Sequence, residues 1–204
     1  MIGVAAAGGL TTLTLNRPDR ANALTRAMLG DLEAAVARAA ADGTRVLVLT
    51  GAGRVFSAGA DLDEARAGLA TDPVWERLSA TIAALPCLTI AALNGTLAGG
   101  AMGMALACDL RIAAAGGQIF YPVMRLGFLP QPSDPGRLAA LVGPARARMI
   151  LMAGARVPVD EAVAWGLVDR VVTPEDLAPT VAALAADALA AHPAHVAAIK
   201  RMVP

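Results

Sequence analysis

The chain carries no excess charge of either sign: 17 Lys and Arg balance 17 Asp and Glu. Neutrality counts against a protein that lives on nucleic acid or on an anionic membrane surface, and leaves room only for a local basic patch that meets a phosphorylated ligand. No run approaches the ~20 uninterrupted apolar residues that a membrane span needs. The opening "MIGVAAAGGLTTL" lacks a basic stretch and does not read as a signal peptide. Cysteine is nearly absent. Cys87 and Cys108 sit in apolar settings, which suits a reduced, cytoplasmic chain better than a disulfide scaffold. The two histidines, His192 and His195, have no acidic or cysteine partner close in sequence, so no metal site is expected. There is no glycine loop ending in Gly-Lys-Ser/Thr, and Ser57 precedes the turn that a serine elbow would need it to crown. Cys108 lacks a histidine partner and is read as packing, not as a thiol nucleophile.

What is abundant is small and apolar. Hydrophobic residues make up 56% of the 204 positions, many of them alanine, so stability must come from many close contacts or from subunit interfaces. The length fits one domain over residues 1–204, with a core at about 1–172 and a C-terminal helical region starting at about 173. "LTTLTL" (10–15), "RVLVLTG" (45–51), "LTIAALNG" (88–95), "DLRIAA" (109–114) and "LVDRVV" (167–172) read as strands. Helical spacing follows Thr25, an N-cap candidate, and recurs at about 72–85, 144–153, 159–165 and 174–190. Strands alternating with helices imply a largely parallel α/β sheet.

Ligands of such sheets bind where strands end and helices begin. Two loops of this kind stand out, "FSAGADL" (56–62) and "NGTLAGGAMG" (94–103). Small residues there leave backbone N–H groups uncovered ahead of a helix. Two such groups converging on one point would stabilise an enolate oxygen without any side chain. The same glycines, Gly59, Gly99 and Gly100, also suit plain tight turns and close packing.

Four segments in this order, "LTLNRPDRANALTRAML", "VLTGAGRVFSAGADL", "AALNGTLAGGAMGMALACDLRIAA" and "AVAWGLVDRVV", resemble the crotonase superfamily of enoyl-CoA hydratases and isomerases. The resemblance implies a ββα superhelix, a homotrimer or hexamer, and a coenzyme A thioester as substrate with no separate cofactor. It implies that the N–H groups of Ala60 and Gly100 form an oxyanion hole. It places Ala60, Asp61, Leu62 and Asp63 along the thioester and pantetheine end, and Arg20 and Ala21 near the adenine and its phosphate, where an arginine suits a phosphate. Asp61 also reads as a helix cap, and Arg20 as an ordinary solvated arginine. Family members continue past "AHVAAIKRMV" into further helices, so the C-terminal helical segment reads as short or absent.

The resemblance breaks at the proton-transfer positions. Hydratases carry one glutamate three residues after the oxyanion glycine and a second in a segment like "GQIFYPVMRLGFLP"; these positions hold Gly103 and Val123. Adding water to a double bond needs a base and an acid, and neither residue serves. A single later acid, found in some isomerases and dehalogenases, corresponds to Gln131, which orients but does not shuttle a proton near neutral pH. Asp134 is the nearest carboxylate and ranks first as acid/base, although a turn-forming Asp before Pro135 is the plainer reading. Tyr121 is a candidate donor to substrate or a core tyrosine. The sequence therefore suggests an acyl-CoA enzyme of the lyase or isomerase kind that works through an enolate and hydrates poorly. A binding or scaffold protein that has lost catalysis is the alternative.

Overall fold

The computed structural model describes residues 1–203. The elements run β1 (Ile2–Ala7), β2 (Leu10–Leu15), α1 (Arg26–Ala41), β3 (Val46–Gly51), β4 (Val55–Ser57), α2 (Leu62–Arg66), α3 (Val74–Ala83), β5 (Leu88–Leu93), β6 (Thr96–Ala98), α4 (Met102–Leu106), β7 (Leu110–Ala114), β8 (Gln118–Phe120), α5 (Val123–Leu126), α6 (Asp134–Leu151), β9 (Val157–Pro158), α7 (Val159–Trp165), β10 (Arg170–Val172), α8 (Leu177–Ala190) and α9 (Pro193–Met202).

Strands fall into two sheets. The larger has the order β1-β2-β3-β5-β7-β10, parallel except for the β1–β2 hairpin, and the smaller has the order β4-β6-β8-β9. Each long strand β3, β5 and β7 is followed by a short strand of the second sheet and then by a helical turn, a ββα unit repeated three times.

The apolar runs of β3, β5 and β7 follow from cover on both faces. Val46, Val48, Ile90, Ala92, Ile112 and Ala114 pack against Leu177, Val181 and Ala185 of α8. Their neighbours Leu47, Leu49, Ala91, Leu93 and Ala113 point the other way, into the main core. Each fully buried leucine contributes about 1.5–3 kcal/mol. Thr25 caps α1 as expected, its Oγ1 accepting the Met28 N–H at 3.2 Å.

The structure departs from the sequence reading at β1, at the short strands and at α6. β1 is absent from that reading: its residues are half-buried or exposed at the sheet edge and carry no strong alternation. The short strands of the second sheet, two or three residues each, lie below what a periodic pattern reveals. The helix expected from Pro144 begins ten residues earlier, at Asp134. Pro135 sits in the first turn, where its missing N–H costs nothing, and the chain bends at Gly143 (φ 78°, ψ 161°) before Pro144.

Candidate active site

The two glycine loops meet, and the surrounding residues explain why. Ser57 ends β4 fully buried. Its Oγ donates to the Asn22 carbonyl at 2.8 Å and accepts the Gly59 N–H at 3.1 Å. The Ala58 N–H donates to the Ala21 carbonyl, the Leu24 N–H to Gly59, and the Asp61 N–H to Leu24, all within 2.9 Å. Asn22, fully buried with φ 53°, donates through its side-chain amide to the carbonyls of Ala52 and Val55. The 58–61 turn is thereby fastened to the "DRANAL" segment on either side of Ala60. Among the described residues, nothing accepts the Ala60 N–H.

Gly59 brings this turn against the second one. Its φ is +92°, and a Cβ there would stand 3.0 Å from the Ala98 carbonyl and 3.4 Å from the Gly100 nitrogen. Gly100 is the second residue of a single 3-10 turn, Gly99–Ala101, that leads into α4. N–H groups of a first turn have no acceptor within the helix. Behind Gly100 lies the Trp75 ring, 3.3 Å from where a Cβ would be, with its Nε1–H held by the Leu69 carbonyl at 2.8 Å. Ala60 and Gly100 border one cavity of about 110 Å³, whose mainly apolar wall includes Trp75, Tyr121, Val123 and Gln131. A larger open groove of about 1220 Å³ runs between Leu85, Leu106 and the α8–α9 helices. None of the expected site residues lines it.

The remaining candidates divide. Leu62 lies at the mouth of the cavity, 68% exposed. Asp61 is a structural carboxylate: it caps α2 by accepting the Asp63 and Glu64 N–H groups and pairs with Arg17 at 2.7 Å. The Arg17 hydrogen bond, reinforced by the backbone N–H of Glu64, holds its carboxyl below the usual range. Asp63 points to solvent and pairs with Arg66. Arg20 is exposed in the Pro18–Arg20 turn, and Ala21 follows it in the left-handed conformation with φ 50°. Neither lines the cavity. Both cysteines are buried, and burial pushes Cys108 up to about 12 and Cys87 up to about 11.

Asp134 is fully buried as the first residue of α6, not an exposed turn residue, and it does not itself line the cavity. Tyr121 stands between: it lines the cavity, and its hydroxyl donates to Asp134 Oδ2 at 2.9 Å. Oδ1 is buried with no hydrogen-bond partner among the described residues. A Cβ on Gly103 would come within 3.0 Å of that oxygen and 3.6 Å of the carboxyl carbon. The Asp134 carboxylate thus fills, from α6, the space into which a side chain at position 103 would grow. Burial pushes it up to about 6, with Glu76 adding to the rise and the Tyr121 hydrogen bond and Arg137 opposing it. Glu76 of α3 fixes the start of α6 by accepting from the Ser133 N–H at 3.1 Å and from its hydroxyl.

Sequence reasoning missed Asn22, Ser57 and Glu76. Each fastens a segment distant in sequence, Asn22 to Ala52 and Val55, Ser57 to Asn22 and Glu76 to Ser133, and no local pattern marks such a contact.

A model of the enoyl-CoA hydratase/isomerase family matches residues 5–204, and the chain belongs to that family. YngF of Bacillus subtilis (strain 168) is 40% identical over 185 residues, covering 87% of this chain and 71% of that protein. The 1,2-epoxyphenylacetyl-CoA isomerase of Escherichia coli (strain K12) is 34% identical over 187 residues, 87% of this chain and 71% of that protein. The crystal structure of an enoyl-CoA hydratase from Bacillus anthracis superposes with a TM-score of 0.92 at 32% identity, covering 99% of this chain and 81% of that one. The fold is the crotonase fold. Among the described residues no single helix is long and apolar enough to cross a membrane.

Proposed function

We propose that this chain binds an acyl-CoA thioester in the cavity beside Ala60 and Gly100 and stabilises its enolate through their two N–H groups. The observation that carries this reading is the pairing of an acceptor-free N–H at Ala60 with the first-turn N–H of Gly100 across the Gly59 contact. Such a pair polarises a thioester carbonyl and holds the oxyanion with little reorganisation. The apolar wall suits an acyl group. Arg20 and Ala21 would meet the nucleotide end, Leu62 and Asp63 the pantetheine arm, and the chain would work as a homotrimer or hexamer. No separate cofactor enters.

Gly103 and Val123 supply neither acid nor base, so the reaction is an isomerisation or a hydrolysis rather than an efficient hydration. Gln131, on the cavity wall, is placed to orient a water or a carbonyl. One observation favours a second reading, acyl-CoA binding without turnover: no carboxylate lines the cavity among the described residues, and Asp134 reaches it only through Tyr121.

The test is calorimetric binding of a non-reactive thioether analogue of an acyl-CoA to the wild type and to Arg20→Ala, with a turnover screen alongside. The proposal expects binding that weakens in Arg20→Ala and a product that forms without net addition of water to a double bond. Binding with no turnover of any acyl-CoA selects the second reading. No binding rejects both.

A further inference from the structure

We infer that Tyr121 and Asp134 form a proton relay that takes the place of the two missing glutamates, with Tyr121 the catalytic residue and Asp134 its positioning residue. The inference rests on the acyl-CoA reading above. It follows from how the two side chains and one glycine fit together. Tyr121 lines the same cavity as Ala60 and Gly100. Its hydroxyl donates to Asp134 Oδ2, and this fixes the phenolic hydrogen away from substrate and leaves the oxygen's lone pairs as its acceptors. The Gln131 N–H, at 3.4 Å, is the other group on that oxygen and makes a long contact.

Asp134 itself is costly to bury. A carboxylate with one oxygen unpartnered and no exposed surface loses solvation without full compensation. Stability alone favours an apolar residue at such a place. Glycine at position 103 leaves the carboxylate its room, because a Cβ there would stand 3.0 Å from Oδ1, a contact tight enough that one of the two must give. The absent side chain at 103 and the present one at 134 are therefore one arrangement. The carboxylate stays beside α4, but reaches it from α6 and works through a phenol.

The step balances without an added reagent. The α-C–H bond of the thioester breaks as its proton passes to the Tyr121 oxygen, while the Tyr121 proton passes to Asp134 Oδ2. The bonding pair moves into the enolate, whose oxygen lies at the Ala60 and Gly100 N–H groups. Reversal of the two transfers onto the γ-carbon of an unsaturated acyl chain completes a 1,3-shift and returns Asp134 to its ionised form. Three titratable groups act on Asp134: Tyr121, Arg137 on the next turn of α6, and Glu76 from α3. α4 contributes only Gly103.

The experiment follows deuterium entry at the α-carbon of butyryl-CoA and phenylacetyl-CoA by NMR in D2O, with the affinity of a thioether analogue measured in parallel. Tyr121→Phe and Asp134→Asn are expected to lower exchange at least 100-fold, the usual weight of a general base, with affinity within threefold of wild type. Wild-type exchange is expected to rise with pH through about 6 and then level, and the residual rate of Asp134→Asn to show no such rise. Asp134→Ala/Gly103→Asp, which returns a carboxylate to the same space from α4, is expected to exceed Asp134→Ala at least tenfold. Exchange retained within tenfold in Tyr121→Phe overturns the relay, as does a loss confined to Gln131→Ala, which would put a held water in its place. A wild type that binds the analogue and exchanges nothing overturns the relay but not the binding site. A wild type that does not bind overturns the acyl-CoA reading beneath it.

Discussion

Replacing Asp134 by asparagine should change the pH dependence of stability in a direction that its burial fixes. Burial raises its pKa from 3.8 to about 6, so the folded protein holds the proton more tightly than the unfolded chain does. The stabilisation from this group is complete below about pH 4 and is lost as pH rises through about 6. A difference of roughly two pKa units is about 3 kcal/mol in full, of which about 2.5 kcal/mol falls between pH 4 and pH 8. The asparagine of the variant has no such dependence. It keeps an acceptor for the Tyr121 hydroxyl but sets the other half of its amide against Gly103 without a partner, a cost of about 1–3 kcal/mol at every pH. That constant cost cancels when one pH is compared with another. For a chain of this size 1 kcal/mol is roughly 2–4 °C. The Tm of Asp134→Asn minus that of wild type should therefore rise by roughly 5–10 °C between pH 4 and pH 8, and urea unfolding at the two pH values should give the same sign. A difference that stays constant across this range would refute the buried, proton-holding carboxylate.

The other predictions follow from the same geometry. Gly103→Glu should destabilise the fold by about 2 kcal/mol or more, because the new side chain meets the Asp134 carboxylate and sets a second acid beside it, and it should not create hydration; urea unfolding and a crotonyl-CoA assay check both. Gly59→Ala should cost about 1–3 kcal/mol through its left-handed backbone and the Ala98 carbonyl, and should weaken binding of a thioether analogue by parting the two loops. Ser57→Ala should leave the Gly59 N–H without its side-chain acceptor and lower stability by about 1 kcal/mol, measured by chemical denaturation. Arg17→Ala should raise the Asp61 pKa toward the ordinary carboxylate value, read by NMR titration of Asp61.

Strands β3, β5 and β7 were legible because burial on both faces writes a continuous apolar run, as in Val46–Leu49, closed by turn residues. The two glycine loops were legible as loops, but their meeting was not. It depends on the positive φ of Gly59 and on Ser57 and Asn22 reaching backbone groups about 30 residues away in sequence. The first half of α6 was hidden by "PSDPG", whose two prolines and glycine look like turn chemistry. In the structure Pro135 occupies a first turn, the one helical position where it is at home. Gly103 and Val123 read, by resemblance alone, as departures from the hydratase pattern. That Asp134 fills the space at 103 was not legible, since nothing local links residues 31 positions apart.

The central claim is that the Ala60 and Gly100 N–H groups act on a thioester carbonyl. The most direct test is the infrared difference spectrum of an acyl-CoA labelled with ¹³C at that carbonyl, recorded free and bound. The account predicts a bound carbonyl band moved to lower frequency, because two donors draw electron density onto the oxygen. A bound ligand whose carbonyl band stays where it is in water, or moves to higher frequency, would contradict it.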